Sequence, residues 1–220
     1  MHFGSWDSSA SRDWLISMPQ QENILTLCVG AGFVALGCDS RLVRVFSLSG
    51  LQLHLFALPG PLVAMAAHHH SLAVVYHSAM GLSGEQCLCA SQYTVEVGRN
   101  GGAKNTPPLT VPVALSPGSR LVWLGYTEGG LLVTADSVGL VRLLNPAFHL
   151  TWLPIIDFAQ HTKGVSSHMW IVAVNDQPAQ IRCVLCKGSE YPSLLPKPSL
   201  MSLPWTLPLC DQAIEKSQLE

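Results

Sequence analysis

The chain has 220 residues and a formal net charge of −2, with 48% hydrophobic and 12% charged residues. Charged residues are about half as frequent as in an average soluble domain, so most segments are expected to be buried on at least one face, which excludes a disordered chain. No two lysine or arginine residues are neighbours, and this lack of basic runs argues against nucleic-acid binding.

The amino-terminal part of the chain has no features of a secreted or membrane protein. Residues 1–7 contain neither the basic start nor the apolar core of a signal peptide. The uncharged segment 23–38 is shorter than the ~20 residues of a membrane span, and Gly30 and Gly32 within it favour a turn. Seven cysteines, an odd number, are therefore expected to be reduced and buried in a soluble intracellular protein.

Short apolar runs separated by glycine, proline, asparagine, aspartate and serine follow one another along the chain. They predict strands of about five or six residues joined by turns. The runs are 24–29, 33–36, 42–46, 51–56, 62–67, 72–77, 86–90, 93–97, 109–115, 121–126, 131–135, 140–144, 150–155, 168–174 and 180–186. A helical pattern is expected only at 211–220, where Ala213, Ile214 and Leu219 interrupt a polar tail.

The predicted strands group into units of about 35 residues or somewhat more, the size of a four-stranded propeller blade. The units are 24–58, 62–115, 121–158 and 168–207, and 1–18 has the pattern of the last two strands of an earlier blade, with Trp6 and Trp14 as fillers. The expected fold class is all-β: a partial β-propeller of about four and a half blades at 1–210, then the start of a truncated helical extension at 211–220. Propellers close with 4 to 8 blades, so both ends are expected to continue in a longer protein.

Cysteine and histidine groups raise the question of a metal site, and we expect none. Cys183 and Cys186 have the spacing of half a zinc site, but their opposite parity on one strand directs them to opposite faces. Cys87 and Cys89 share a face but belong to a different predicted blade. The three histidines at 68–70 fit a solvated hairpin turn better than a transition-metal site, because adjacent strand residues cannot converge on one ion.

No catalytic residue and no cofactor are predicted. His161, His168 and Asp157, with Ser166 and Ser167, could be combined into a Ser/His/Asp set, but no G-x-S-x-G nucleophile elbow accompanies them. Structural loop residues are the simpler interpretation. An enzyme is the least favoured alternative, since charged side chains are sparse and spread thinly.

One hairpin turn is predicted from its residues alone. In Asp-Ser-Val-Gly at 136–139, the aspartate can accept hydrogen bonds from the backbone ahead and the glycine can take a positive φ. Arg142 on the following strand is expected to donate hydrogen bonds at a sheet edge or between blades.

The tryptophans are expected to pack between blades, because Trp123, Trp152 and Trp170 lie among aliphatic residues in separate predicted strands. Trp205 lies in a proline-rich segment that begins at Tyr191. It is the candidate protein-interface residue, with burial in the core as the alternative, because aromatic residues are enriched at interface hot spots.

Short motifs spread in order along nearly the whole chain carry a family resemblance. They are HFGSWDSS at 2–9, LPGPLV at 58–63, VVYH at 74–77, GEQCL at 84–88, DSVGLVRLLN at 136–145, RC at 182–183, CKGS at 186–189, LC at 209–210 and EK at 215–216. Together they resemble the second propeller of the WD-repeat and HMG-box DNA-binding protein family, the metazoan counterpart of the fungal chromosome-transmission-fidelity replisome adaptor. The segments 98–108 and 68–70 depart from the family pattern.

The resemblance implies a nuclear replisome adaptor with a six-bladed propeller followed by a helical bundle. It implies a homotrimer formed through the propellers, and a link between the replicative helicase complex and the priming DNA polymerase. The bundle that captures client peptides and the HMG box have no counterpart in this chain, so neither client peptides nor direct DNA binding can be carried over. The alternative is a generic peptide-binding WD-type propeller scaffold in another nuclear complex, again with no membrane association.

Overall fold

The computed structural model describes residues 2–3, 14–81, 84–96, 107–162, 167–195 and 197–206. Within them the chain forms short strands, two 3-10 helices and no α-helix. The strands are β1 His2–Phe3, β2 Trp14–Leu15, β3 Ile24–Gly30, β4 Phe33–Cys38, β5 Leu42–Ser47, β6 Gln52–Ala57, β7 Leu62–His68, β8 Ser71–Ala79, β9 Cys87–Thr94, β10 Leu109–Pro112, β11 Leu121–Tyr126, β12 Leu132–Asp136, β13 Leu140–Asn145, β14 Thr151–Asp157, β15 Ser167–Asp176, β16 Ala179–Lys187 and β17 Leu200–Pro204. The 3-10 helices are η1 Pro146–Phe148 and η2 Phe158–Gln160. In the part of the chain that is described, no helix has the length and apolar character of a membrane span.

The chain divides into two compact units, and the first comprises Met1–Met80 with Cys87–Pro112. In it, β3 to β6 form one four-stranded sheet (sheet I) and β7 to β10 form another (sheet II). Consecutive strands are neighbours and pair antiparallel in both sheets. β1 and β2 form a separate antiparallel pair, in agreement with two strands of an earlier blade.

The second unit comprises Gly81–Gln86 with Val113–Glu220. Its strands form the four-stranded sheet III, β11 to β14, and the three-stranded sheet IV, β15 to β17. Antiparallel meanders of four strands are the blades of β-propellers, so the predicted partial β-propeller is confirmed. The predicted extension 211–220 lies outside the described residues.

The middle strands of sheet I are buried on both faces, as expected for a blade between two neighbours. All six residues of β4 are buried. From one face, Phe33 and Ala35 join a core cluster that includes Leu72 and Val74 of sheet II. The other face is covered by residues from the segment that contains β2. The buried residues on this face are Val34, Leu36 and Phe46, and the covering residues are Trp14, Ile16 and Met18.

The core of the second unit lies between sheets III and IV. Its buried members on strands come from β12, β13 and β14 of sheet III and from β15 and β16 of sheet IV. They include Val133, Leu143, Ile155, Ile171, Ile181 and Cys183. The indole of Trp123 packs against this cluster, as predicted for a filler between blades.

The runs 86–90 and 93–97 were expected to be two strands, and this was wrong. They form the single strand β9, and the fourth strand of sheet II is β10, beyond the segment 98–108. The polar residue that interrupts the apolar pattern is Ser91, which is buried. Its hydroxyl is 2.7 Å from Thr110 Oγ1 and 3.3 Å from the Tyr76 hydroxyl, so hydrogen bonds to both neighbouring strands allow a serine inside the sheet.

We predict that Gly60→Ala destabilises the first unit. A Cβ at this position would lie 1.8 Å from the backbone oxygen of His77, and this oxygen cannot move without distorting β8. The expected loss in the free energy of unfolding is about 3 kcal/mol, at the upper end for overpacking, measured by chemical denaturation. Gly118→Ala is the control, because its φ is +68° but nothing lies within 4 Å of the added atom. It should cost about 1 kcal/mol, and equal losses for both variants would contradict the prediction.

Candidate functional site

Two tight turns with related sequences join the second and third strands of sheets I and III. They read DSRLVR at 39–44 and DSVGLVR at 136–142. Each begins with an aspartate and leads to an arginine on the third strand. Each turn therefore places one carboxylate and one guanidinium near the neighbouring segments of the chain.

In sheet III the two charged groups form a buried ion pair. Arg142 Nη1 donates to Asp136 Oδ2 at 2.6 Å, and the two side chains are 11% and 0% exposed. The same carboxylate accepts from the backbone nitrogens of Ser116 at 3.1 Å and Leu140 at 3.0 Å. Arg142 Nη2 donates to Ser116 Oγ at 2.8 Å. The network therefore fastens the segment that precedes β11 to the turn between β12 and β13.

The protonation of Asp136 follows from this environment. Burial alone would raise the pKa of the carboxyl, but the hydrogen bonds from Arg142 and Ser116 outweigh burial and lower the pKa below its ordinary value of 3.8. The carboxylate is thus charged at neutral pH and fully engaged. It is a structural group and not a free acid or base.

In sheet I, two carboxylates share the contacts that Asp136 makes alone in sheet III. One holds the preceding segment, and the other pairs with the arginine. Asp39 accepts from the backbone nitrogen of Asn23 at 3.0 Å and from its side-chain amide at 2.7 Å. Arg44 pairs instead with Glu22 at 2.7 Å, and Glu22 also accepts from Ser40 Oγ at 3.0 Å. The hydrogen bond from Arg44 lowers the pKa of Glu22 in spite of desolvation. Here too, the chain before the first strand is held to the turn between the second and third strands.

Arg142 was expected to donate at a sheet edge or between blades, and of these two alternatives the sheet edge is wrong. It lies on β13, an inner strand of sheet III, and its guanidinium bonds to the neighbouring strand and to the segment before β11. Sequence reasoning also missed Glu22 and Ser116. The repeated Asp-Ser and Leu-Val-Arg pattern was the available signal, since two such turns imply a common partner in the preceding segment.

The predicted turn chemistry at 136–139 is confirmed. Asp136 Oδ1 accepts from the backbone nitrogen of Leu140, and Gly139 has a φ of +98°.

The histidines 68–70 also form a turn, between β7 and β8, with His69 at a φ of +48°. The backbone oxygen of His69 accepts from Ala31, and that of His70 accepts from Val95. Burial and the neighbouring His69 lower the pKa of His68, so its imidazole is neutral at pH 7.

Of the side chains considered for chemistry, Asp157 caps a 3-10 helix and two cysteines are buried thiols. Asp157 Oδ1 accepts from the backbone nitrogen of Ala159 and caps η2, while Lys163 to Ser166 lie outside the described residues. Cys183 and Cys186 are buried free thiols whose pKa values are raised by burial. Among the described residues, no three His, Cys, Asp or Glu side chains are grouped as a metal would require.

A groove of about 270 Å³ lies beside the Asp136 network in the second unit. Its apolar walls include Trp123, Phe158 and Trp170, and its polar lining includes His168 and the engaged carboxylate of Asp136. A groove of this size and lining can receive an apolar side chain of another molecule.

Trp205 follows β17 and is partly buried against the core cluster of the second unit. Its indole Nε1 donates to the backbone oxygen of Asn175 at 3.0 Å, and its backbone nitrogen donates to Ala179 at 3.1 Å. Both hydrogen bonds hold the residue that follows β17 against sheet IV. Its use as a protein interface stays a prediction.

Comparison with known families gives one match over nearly the whole chain. The family described as "Minichromosome loss protein, Mcl1, middle region" matches residues 1–209. Full-length relatives agree: the chain is 43% identical to WD repeat and HMG-box DNA-binding protein 1 of Xenopus laevis and 40% identical to that of Homo sapiens, in both cases over 100% of this chain and 19% of the relative. It is 33% identical to Protein ENHANCER OF LHP1 1 of Arabidopsis thaliana over 99% of this chain and 22% of that protein. The chain thus spans about a fifth of the length of these relatives.

Among solved structures, the similarity is weaker. HIRA(644-1017) matches with a TM-score of 0.45 and 19% identity, covering 66% of this chain and 43% of that one. YCF48 bound to D1 peptide matches with a TM-score of 0.48 and 12% identity, covering 88% of this chain and 58% of that one.

We predict that Asp136→Asn is more harmful than Asp39→Asn. Asp136→Asn leaves the buried Arg142 without its counter-ion and should cost about 3 kcal/mol of unfolding free energy. Asp39 is exposed, so Asp39→Asn should cost much less. Because folding lowers the pKa of Asp136 below 3.8, its contribution is present above that pH and is lost as the pH falls through the lower, folded value. Denaturation at pH 7 and at pH 3 measures both effects. Equal losses of stability for the two variants at pH 7 would contradict the prediction that the buried ion pair stabilises the protein more than the exposed Asp39 does.

We predict that Trp205→Ala lowers the free energy of unfolding by about 2–3 kcal/mol, because a partly buried indole leaves the core. Trp205→Phe should lose about 1 kcal/mol with the hydrogen bond to Asn175. Chemical denaturation followed by circular dichroism measures both. Full stability of Trp205→Ala combined with weaker partner binding would instead favour the interface interpretation.

Proposed function

The chain belongs to the family of the Mcl1 middle region, and we propose that it is a non-catalytic scaffold segment of the DNA replication machinery. The observation that carries this proposal is the continuous match over residues 1–209, together with 40–43% identity to the vertebrate relatives over the whole chain. The matched range includes every strand that the structure describes.

We further propose the finer assembly that the family resemblance implies. The propeller mediates homotrimerisation, and the trimer links the replicative helicase complex to the priming DNA polymerase in the nucleus. The relatives are named as DNA-binding proteins, which supports a nuclear location. Direct DNA binding by this segment is not part of the proposal, because its formal charge is −2 and its cationic residues are dispersed.

A non-catalytic role is supported by what the charged groups do. Asp136, Glu22 and Asp157 accept hydrogen bonds that hold turns and segments together. Burial raises the pKa of Cys28 and Cys38 to about 12, so these thiols are protonated at neutral pH and are poor nucleophiles. Groups committed in this way stabilise a docking platform.

A second candidate function is a peptide-binding scaffold in another nuclear complex. The groove beside Trp123 and Trp170 favours it, since a groove with aromatic walls can hold a side chain of a peptide without any replication partner.

We predict that the intact protein has a mass of three chains in solution and recovers both helicase-complex and priming-polymerase subunits from nuclear extract. Light scattering after size-exclusion chromatography measures the mass, and affinity capture with quantitative mass spectrometry measures the partners. Gly60→Ala, with its destabilised first unit, serves as the control for dependence on the fold. A monomeric mass would remove the trimer from the proposal, and capture of an unrelated nuclear complex alone would favour the second candidate.

A further inference from the structure

A second cavity, larger than the groove beside Asp136, lies at the end of sheet IV. Its volume is about 500 Å³, and residues within 189–193 and 197–199, from the connection between β16 and β17, line it together with the two strands. From the strands it is lined by Val184, Cys186 and Met201. The connecting segment adds Tyr191 and two prolines, 192 and 198. Most of the wall is apolar, and its volume suits one or two side chains of a bound peptide.

The charges at this cavity have one sign. Lys187 and Lys197 belong to its lining, and none of the lining residues is acidic. Both lysines are exposed. The nearest carboxylate in sequence, that of Glu190, points to Arg120 Nη2 at 3.5 Å and does not line the cavity. The two ammonium groups therefore give the cavity, hereafter the lysine cavity, a positive rim around an apolar floor.

The turn beside the lysine cavity is ordered by its own hydrogen bonds. Ser189 Oγ donates to the backbone oxygen of Tyr191 at 2.9 Å and accepts from its backbone nitrogen at 3.1 Å. The ring of Tyr191 lies 5.5 Å from that of Trp170. The aromatic wall is thus in place before any ligand binds, which lowers the entropy cost of binding.

Large apolar side chains of the segment that contributes to the lysine cavity are left in solvent. Tyr191 is 63% exposed, and Leu194 and Leu195 are 92% and 88% exposed. Three such residues in five positions form an apolar patch of the kind that marks interaction surfaces. The combination of this patch with a positive rim restricts the chemistry of what can cover it.

We propose that the lysine cavity docks a short acidic segment of a partner protein. An aliphatic side chain of that segment enters the apolar floor, and carboxylates on either side of it pair with Lys187 and Lys197. Charge complementarity favours this occupant, because the lining of the cavity has two cations and no anion. This proposal deepens the proposed scaffold function, since it names the chemistry of one docking partner.

The test is fluorescence anisotropy of the intact protein with the labelled hexapeptide Glu-Glu-Leu-Glu-Glu-Leu. The comparison probes are Lys-Lys-Leu-Lys-Lys-Leu and a single-stranded oligonucleotide. We expect the acidic peptide to bind and Lys187→Glu with Lys197→Glu to weaken it about tenfold or more, since two rim pairs are lost and reversed. Tyr191→Ala should also weaken binding, because it removes the aromatic ring that lines the cavity. Arg182→Glu is the matched control, an exposed cation on β16 that does not line the cavity, and it should leave the affinity unchanged.

Several results would overturn the proposal. These are unchanged affinity in the double lysine variant, an equal loss with Arg182→Glu, or tighter binding of the oligonucleotide than of the acidic peptide. A large loss of stability in the double variant, without binding by the wild type, would show that the surface is an internal contact of the folded protein. The mass in solution and the recovery of replication partners are measured on the same variants, so a failure at this cavity is distinguishable from a failure of the scaffold function.

Discussion

The buried pair of Asp136 and Arg142 is the constraint around which the second unit is organised. A charged arginine inside a sheet is costly unless a counter-ion and further acceptors are present, and Asp136 and Ser116 supply both. The same carboxylate also holds the backbone nitrogen of Ser116, so the approach to β11 cannot leave the turn between β12 and β13 without exposing two charges at once. In sheet I the equivalent fastening is divided between Asp39 and Glu22, which shows that the geometry is retained while the residues that provide it change.

Burial on both faces explains why the sequence of this protein looks as it does. A sheet with one solvent face alternates apolar and polar residues, but β4 and β12 are buried at every position. β4 accordingly has no charged residue, and the polar residues of β12 are Thr134 and the ion-paired Asp136. Among the described residues, charged side chains lie mostly in turns, in connecting segments or at the ends of strands. Of those inside strands, Arg44 and Arg142 are ion-paired and Arg182 is exposed. The low share of charged residues, 12%, follows from this arrangement.

Much of the fold could be predicted because each strand is short, apolar and bounded by turn residues, and because four strands recur at a blade's length. Individual contacts could not be predicted in the same way. Ser91 looked like the end of a strand because its two hydrogen-bond partners come from strands distant in sequence, Tyr76 and Thr110. Arg142 looked like an edge residue because its partner Ser116 lies 26 positions away. The lysine cavity depends on residues within 189–193 and 197–199, where proline and serine give no periodic signal.

The connections between the second and third strands of the four sheets differ in length. The short ones stabilise the fold, whereas the longest one leaves a surface on which a partner can dock. In sheets I and III they are tight turns whose aspartates hold the preceding chain. In the longer connection after β8, Gln86 Oε1 accepts from the backbone nitrogen of Leu121 at 2.8 Å, so that segment also fastens the start of a sheet. In the described part of the connection between β16 and β17, Ser189 and Tyr191 bond to each other, and Leu194, Leu195 and Lys197 are exposed. A scaffold protein needs surface residues that are not used for its own folding. This segment supplies exposed apolar side chains and part of the lysine cavity, and a partner can bind to them.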